Sequence, residues 1–211
     1  IEISLNAQER KKRTRRLIEI GGLAAKANLE DWDQTFDRGV TKQKIKDLSQ
    51  LNFKHNYESL LIVGKTGEGK TQLATALGKR FCQEGLSVQF HSVNILFEEV
   101  LAARAAGRYL KLLKDLKKID LLILDDFGLR SYTHQEATTL MDIFDGRYRK
   151  RSVIVTSQVD NLGWAKLFED PVIGEAIVDR LVHPSQKIVL KGGSYRERLK
   201  LKKEKTVDTK N

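Results

Sequence analysis

Residues 64–71 read GKTGEGKT and match the pattern G-x-x-x-x-G-K-[ST] at every fixed position. An apolar run, residues 60–63, precedes them, and a stretch of good helix formers, residues 72–81, follows. A glycine loop between a buried strand and a helix start aims backbone N–H groups at one point, where the helix dipole also favours an anion. Lys70 can reach the outer phosphates of a nucleotide, and the hydroxyl of Thr71 can bind Mg²⁺. The pattern predicts a site for a nucleoside triphosphate; the alternative is a chance match in a glycine turn.

We expect a nucleoside triphosphate and Mg²⁺ to occupy this site, and the family resemblance given below implies that the nucleotide is ATP. The loop and the first residue after it should supply the contacts, because their N–H groups converge on the phosphates. Lys70 is also expected to act in catalysis, since it reaches the phosphate that is transferred. The predicted contacts are Gly64, Lys65, Thr66, Gly67, Glu68, Gly69, Lys70, Thr71 and Gln72.

A second apolar segment, residues 121–124, ends in two carboxylates, Asp125 and Asp126. After a P-loop this is the Walker B arrangement, which favours a nucleotide hydrolase over a passive binder. Asp125 is predicted to hold Mg²⁺ beside Thr71, and Asp126 to orient the attacking water. Most proteins of this design carry glutamate at the second position, and aspartate is one methylene shorter, so the rate of hydrolysis stays open. The alternative is that Asp126 caps the turn before Gly128.

Gln158 follows the next apolar segment, residues 152–156. In sheets of this kind that strand lies beside the P-loop strand, so its end faces the γ-phosphate. Gln158 is therefore a candidate to contact the phosphate or the attacking water. The alternative is a loop residue that faces solvent.

Apolar and amphipathic stretches alternate along the chain in a β-α order. This order predicts an α/β fold, a doubly wound and mostly parallel five-stranded sheet with helices on both faces. We expect residues 1–40 to form a short helical N-terminal piece and linker, residues 41–199 the ATPase domain, and residues 200–211 a basic tail. Strands are predicted near residues 59–63, 88–91, 119–125, 152–156 and 187–190, and a last basic helix from Ser194.

The chain of 211 residues carries a formal net charge of +10, and its pI is about 9.6. Basic residues are concentrated in three blocks, residues 10–16, 147–151 and 196–205. Each block alone is typical of a solvated helix end. Together with the overall excess, they favour DNA as a partner.

Several classes of protein fit the composition poorly. No apolar run approaches the length of a membrane span and no signal-peptide pattern is present, so we expect a cytoplasmic location without membrane contact. The single cysteine, Cys82, is interpreted as a small buried hydrophobe rather than a reactive thiol. The four histidines lack metal-ligand spacing. The first residue is isoleucine, so we expect further residues to precede it.

Four further motifs make the chain resemble a known family. They are LLILDDFG at residues 121–128, SVIVTSQ at 152–158, DRLVH at 179–183 and GGSYR at 192–196. In this order, with the P-loop, they resemble the IstB family, the ATP-binding helper proteins of bacterial insertion sequences. That family stands beside the DnaC helicase loaders in the initiator branch of the AAA+ ATPases. The resemblance covers residues 29–199.

The resemblance implies roles for two arginines. Arg180 would be the arginine finger, which stabilises charge on the ATP of a neighbouring subunit; the alternative is a surface pair with Asp179. Arg196 would be the second sensor arginine, close to the γ-phosphate; the alternative is the start of the basic tail. Gln158 stands where AAA+ proteins carry a polar first sensor, most often asparagine. The chain lacks a full C-terminal lid, as DnaC and IstB relatives do.

The initiator branch also inserts a helix between the second and third strands, and that helix lines a channel for DNA. Here the region is residues 93–118. Its basic residues recur at spacings of four and three, which places them near one helical face if Gly107 does not break the helix. Contact with DNA phosphates is one interpretation and a solvated basic face is the other. The candidates are Arg104, Arg108, Lys111 and Lys114.

The favoured hypothesis is an ATPase that regulates DNA transposition. ATP between subunits of a homo-oligomer would assemble the protein on double-stranded DNA and present that DNA to a transposase, and hydrolysis would dissolve the assembly. The runner-up is a DnaC-like helicase loader that binds single-stranded DNA and a replicative helicase. A P-loop kinase for a small metabolite and an architectural DNA-binding protein with a static ATP site are the remaining alternatives.

Overall fold

Five strands form a single parallel sheet in a computed structural model that describes residues 7–24, 27–30, 32 and 37–194. The strands are β1 (Ser59–Val63), β2 (Val88–Ser92), β3 (Leu121–Phe127), β4 (Ser152–Ser157) and β5 (Ser185–Val189). Their order is β2-β3-β4-β1-β5, and every neighbouring pair is parallel. Strands β1 and β4 are buried along their whole length, as expected for a parallel sheet covered on both faces. The predicted fold class is confirmed.

Helices cover both faces of this sheet. Within the described residues, every helix is too short or too polar to span a lipid bilayer. The α-helices are α1 (Ala7–Ile20), α2 (Lys42–Ser49), α3 (Lys70–Gln83), α4 (Val93–Ala105), α5 (Tyr109–Lys118), α6 (His134–Arg147) and α7 (Pro171–Val182), and two 3₁₀ segments span Asn52–Lys54 and Asn161–Leu167.

Strand side chains alternate between two hydrophobic clusters, one on each face of the sheet. Leu61 and Val155 belong to the cluster under α4, α5, α6 and α7. Leu60 and Ile154 belong to the cluster under α2 and α3. Successive side chains of a strand point to opposite faces of the sheet. Adjacent residues of one apolar run therefore belong to two different cores.

The described residues before α2 pack onto the second of these clusters. Leu23 and Trp32 are buried there. The carbonyl of Gly21 accepts a hydrogen bond of 2.9 Å from the N–H of Phe90 on the edge strand β2. A Cβ at Gly21 would lie 2.7 Å from the carbonyl oxygen of Val88, so the close approach requires glycine. The N-terminal segment thereby covers an otherwise exposed sheet edge.

Arg147 lies in the interior, although the sequence places it in a basic block. Its side chain is 1% exposed. Nη1 donates to the carbonyls of Leu116 and Ile119 at 2.6 and 2.8 Å, and Nη2 donates to the carbonyl of Ser152 at 2.6 Å. Burial lowers the pKa of Arg147 to about 9, which still leaves it charged at neutral pH. The interpretation of residues 147–151 as a uniform surface block is therefore wrong at its first residue.

Arg147 holds the start of β4 against the end of α5, because carbonyls from α5, from the turn after it and from β4 surround one planar donor group. A second member of the block, Arg151, forms an ion pair of 3.2 Å with Asp120. Arg149, Lys150 and Arg151 are all exposed. The basic block thus divides into one buried residue, Arg147, and an exposed part.

Cys82 is fully buried on α3. Burial raises the pKa of its thiol to about 11, so the thiol stays protonated and unreactive at neutral pH. The prediction of a small buried hydrophobe is confirmed.

Replacing Arg147 by methionine should destabilise the fold by about 3–5 kcal/mol, because it removes the charge and leaves several buried carbonyls without a donor. The matched change Arg149→Met on the exposed part of the block should alter stability by no more than about 0.5 kcal/mol. Urea unfolding followed by circular dichroism measures both. Equal stability of the two variants would contradict the structural role of Arg147.

Candidate nucleotide site

The P-loop joins β1 to α3 at the carboxyl edge of the sheet. Gly67 and Gly69 adopt φ values of 85° and 96°, which L side chains rarely adopt. Gly69 is the N-cap of α3 and has no side chain to cap it. The first N–H groups of α3 are therefore left for a ligand, and they lie at the positive end of the helix dipole. This backbone arrangement suits an anion such as a phosphate.

Internal hydrogen bonds hold the loop in shape. The Lys70 side chain is 6% exposed, and its Nζ donates to the carbonyl of Lys65 at 3.0 Å. The carboxylate of Glu68 is also buried and accepts from the N–H of Lys65 at 2.5 Å. The N–H of Gly64 donates to the carbonyl of Ser157 at 3.1 Å. The side chain of Glu68 thus stabilises the loop. The backbone of Glu68 is the part left to contact a nucleotide.

Asp125 joins the P-loop to the rest of the sheet. Its carboxylate accepts from the hydroxyl of Thr71 at 3.0–3.1 Å and from the hydroxyl of Thr156 at 2.5 Å. Burial is the largest influence on its pKa and raises it; the hydroxyl of Thr156 opposes the rise, and the charge of Asp126 adds to it. The structure brings together the two residues predicted to hold the metal, Thr71 and Asp125.

A hydroxyl and a carboxylate are hard oxygen donors, which fit Mg²⁺. A magnesium ion at P-loops takes few protein ligands and completes its shell with water and phosphate oxygens. Thr71 and Asp125 therefore fit the ion, and Lys70 lies on the same loop to neutralise the phosphates.

Asp126 follows in an uncommon backbone conformation. Its φ is 61°, in the left-handed region, and the β3–β4 register shifts between Leu124 and Phe127. Aspartate is enriched in this region relative to most residues, which gives a physical reason for aspartate at this position. The N–H of Asp126 donates to the hydroxyl of Thr156 at 3.1 Å. The side chain of Asp126 is half-buried, and the shift in register interrupts the regular pleat near the end of β3.

Gln158 lies at the end of β4, and β4 pairs directly with β1, as the sequence predicts. Its Oε1 accepts a hydrogen bond of 2.6 Å from the hydroxyl of Thr66 in the P-loop. Both side chains are exposed. Gln158 is therefore not simply a solvent-facing residue, because it contacts the loop.

Arg180 lies on α7 at the opposite edge of the sheet from the P-loop. It lines a small groove together with Ser59, the first residue of β1. The P-loop follows Val63, the last residue of β1. Because β1 has five residues and each spans about 3.3 Å, the two ends of the strand lie roughly 16 Å apart. Nε of Arg180 donates to the carboxylate of Asp145 at 2.9 Å. The alternative interpretation, a surface pair with Asp179, is wrong in its partner, since Arg180 pairs with Asp145 and Asp179 lies 3.2 Å from His183.

The four basic residues proposed for DNA contact do not share one helical face. Gly107 adopts φ 65° and separates α4 from α5, so the helix is broken there. Arg104 turns inward: its guanidinium lies 3.6 Å from the centroid of the Tyr109 ring, and Nη2 is 3.4 Å from the hydroxyl of Thr139. The remaining candidates, Arg108, Lys111 and Lys114, are exposed.

Two further sequence predictions lie outside the described residues, the role of Arg196 and the last basic helix from Ser194. Ser194 itself is described, and a Cβ at Gly67 would lie 2.6 Å from its hydroxyl oxygen. Ser194 therefore lies against the P-loop.

Sequence reasoning missed residues that border the site. Thr156 received no role, although its hydroxyl contacts Asp125. Arg38 is 1% exposed, stacks 3.9 Å from the Trp32 ring centroid, and places Nη1 3.4 Å from Oε1 of Gln72. Thr156 could have been found from its place on the strand beside Asp125, whereas the long-range contact of Arg38 leaves no local pattern.

Comparisons with known proteins agree with this geometry. The sequence model of the IstB-like ATP binding protein family matches residues 3–203. A Sinorhizobium fredii protein named as an insertion sequence ATP-binding protein is 38% identical over 167 residues, 79% of this chain and 68% of that protein. The ATP-binding protein of insertion sequence IS21 from Pseudomonas aeruginosa is 36% identical over 183 residues, 87% of this chain and 68% of that protein.

Two solved structures share the fold. The DnaC helicase loader superposes with a TM-score of 0.66 at 22% identity, over 79% of this chain and 98% of that one. AMPPCP-bound DnaA from Aquifex aeolicus superposes with a TM-score of 0.69 at 23% identity, over 88% of this chain and 56% of that one. These likenesses establish an AAA+ fold, and with the match over residues 3–203 they show that the chain belongs to the family of IstB-like ATP binding proteins.

Proposed function

We propose that this protein is an ATP-dependent DNA-binding ATPase that regulates transposition. The observation that carries the proposal is the meeting of the Thr71 hydroxyl with the Asp125 carboxylate at 3.0–3.1 Å, beside an uncapped helix start and Lys70. A passive glycine turn does not need a buried acid on a separate strand at this place. The arrangement suits a nucleoside triphosphate with its metal ion.

ATP binds with its phosphates on the N–H groups of the P-loop and on Nζ of Lys70. Thr71 and Asp125 hold Mg²⁺, which when bound neutralises charge on the phosphate oxygens. Asp126 orients the attacking water; the support for this role is that it follows Asp125 near the end of β3. Hydrolysis is slow, because a short acid on a constrained backbone has little freedom to follow the water.

The ATP site is completed by a second subunit. Arg180 lies at the edge of the sheet opposite its own P-loop, so it reaches a triphosphate only when another copy brings its P-loop edge to this surface. Its ion pair with Asp145 is partly exposed and exchangeable. An arginine supplied in trans makes hydrolysis depend on assembly.

Duplex DNA is held through its phosphates by the exposed basic residues of the α4–α5 region, Arg108, Lys111 and Lys114. Phosphate contacts position a protein without reading bases. Arg104 supports this surface from inside by packing on Tyr109.

Transposition is favoured over helicase loading by the relatives. Those at 36–38% identity are named as insertion sequence proteins, whereas the DnaC helicase loader shares the fold at 22% identity. The ATP-bound assembly presents its DNA to a transposase, and hydrolysis releases it. A helicase loader would instead prefer single-stranded DNA, which the DNA experiment below distinguishes.

Two variants should affect ATP binding and ATP hydrolysis independently. Lys70→Ala should weaken ATP binding by about 10-fold to 100-fold, because it removes a charged hydrogen bond to the phosphates. Asp126→Asn should keep binding and lower turnover by about 100-fold or more, because the water loses its orienting carboxylate. Calorimetry with ATP and a phosphate-release assay measure these effects. The exposed control Lys46→Ala should change neither, and equal losses of binding in Lys70→Ala and Asp126→Asn would contradict the assigned roles.

Arg180→Ala should bind ATP yet fail to hydrolyse it. Mixed with Lys70→Ala, which is also inactive alone, it should regain part of the wild-type turnover. Recovery is expected because some interfaces then pair an intact P-loop with an intact Arg180. Phosphate release as a function of mixing ratio measures it. An Arg180→Ala protein with normal turnover, or a mixture with none, would refute the shared site.

The triple variant in which Arg108, Lys111 and Lys114 are replaced by alanine should bind duplex DNA of any sequence more weakly, because it lacks three positive charges. The slope of log K against log salt should fall in magnitude by up to about 2.7, since each phosphate contact contributes about 0.9. Arg104→Ala should leave the slope unchanged. Fluorescence anisotropy with duplex and single-stranded oligonucleotides measures both, and a stronger affinity for the single strand would favour a helicase loader.

A further inference from the structure

Thr66 and Gln158 form a hydrogen bond that joins the P-loop to the end of the neighbouring strand. The Thr66 hydroxyl donates to Oε1 of Gln158 at 2.6 Å. The backbones beside them are also fixed, because the N–H of Gly64 donates to the carbonyl of Ser157. The contact therefore spans two rigidly related segments that are 92 residues apart in sequence.

An amide side chain has two chemically different ends. Its oxygen accepts hydrogen bonds, and its nitrogen donates two. Thr66 uses the oxygen of Gln158, and in the described part of the chain the Nε2 group donates to no other residue. The donor end of Gln158 is therefore left entirely for a ligand, whereas its oxygen already has one partner.

The two possible ligands of Gln158 are the γ-phosphate and the attacking water, and a hydrogen-bond donor suits the phosphate. The oxygens of a γ-phosphate are anionic and accept hydrogen bonds, and such charge-assisted bonds are the stronger kind. Taking a proton from the attacking water requires a base, and the amide oxygen of Gln158 is a far weaker base than a carboxylate. Asp126 is the acid at this edge that can meet the water.

We propose that Thr66 is a positioning residue that orients Gln158 so that its NH₂ group faces the γ-phosphate. The proposal rests on the proposed binding of ATP at the P-loop. Thr66 thereby gives the site a preference for ATP over ADP, because ADP lacks the phosphate that the NH₂ group would meet.

The hydrogen bond contributes little to folding, because both side chains are exposed and water can replace either partner. Thr66→Val, which keeps the shape and removes the hydroxyl, is therefore expected to fold like the wild type. Its thermal midpoint provides the check on folding. A lower nucleotide affinity or a lower turnover in this variant then reports on the nucleotide site and not on folding.

The test compares the affinities of a non-hydrolysable ATP analogue and of ADP, together with turnover. Thr66→Val should lose about 10-fold of the preference for the analogue over ADP, with ADP affinity unchanged, and turnover should fall by about 10-fold to 100-fold. Thr66→Ser, which keeps the hydroxyl, should recover most of both. Gln158→Glu, which keeps an acceptor for Thr66 and places a carboxylate toward the phosphate, should lose at least as much as Thr66→Val.

Thr138→Val is the matched control, since Thr138 is exposed on α6 and donates only within its own helix. It should leave every readout unchanged. The role of Thr66 would be overturned if Thr66→Val kept or increased the preference for the analogue over ADP. It would also be overturned if Thr66→Ser lost as much of that preference as Thr66→Val. A wild-type protein that binds neither nucleotide would overturn the proposed function itself.

Discussion

The buried carboxylate of Asp125 is the contact on which the site depends. It accepts from Thr71 at the start of α3 and from Thr156 on β4, so one acid on β3 links a neighbouring strand to the helix that follows the P-loop. A buried charge is stable only when it is hydrogen-bonded, and here two hydroxyls oppose the rise in its pKa that burial causes. The parallel sheet makes this possible, because it brings every carboxyl end to one edge.

The opposite edge of the same sheet gives the fold its second role. Arg180 and two residues of the exposed part of the basic block, Arg149 and Lys150, lie near the amino ends of the strands. A protein with a phosphate-binding edge and an arginine-bearing edge is suited to head-to-tail association. In the proposed assembly, a nucleotide between two copies would hold them together, and its hydrolysis would release them. The proposed role of Thr66 and Gln158 would make this contact between copies sensitive to the third phosphate.

Local patterns in the sequence predicted the strands, the P-loop and the pairing of Thr71 with Asp125. Each of these depends on a contiguous motif and on strand order, which the β-α alternation constrains. Long-range contacts outside these motifs were not predictable. Arg147 was grouped with surface charges because its carbonyl partners come from other elements. The left-handed Gly107 broke the helix on which the shared basic face depended.

The mass of the protein–DNA particle tests the central claim most directly, that ATP joins copies of the chain on DNA. Sedimentation of the chain with a short duplex should show several chains per duplex with a non-hydrolysable ATP analogue. With ADP the particle should contain fewer chains, since the γ-phosphate that Arg180 and Gln158 would meet is absent. Identical particle masses with the analogue and with ADP would contradict the account.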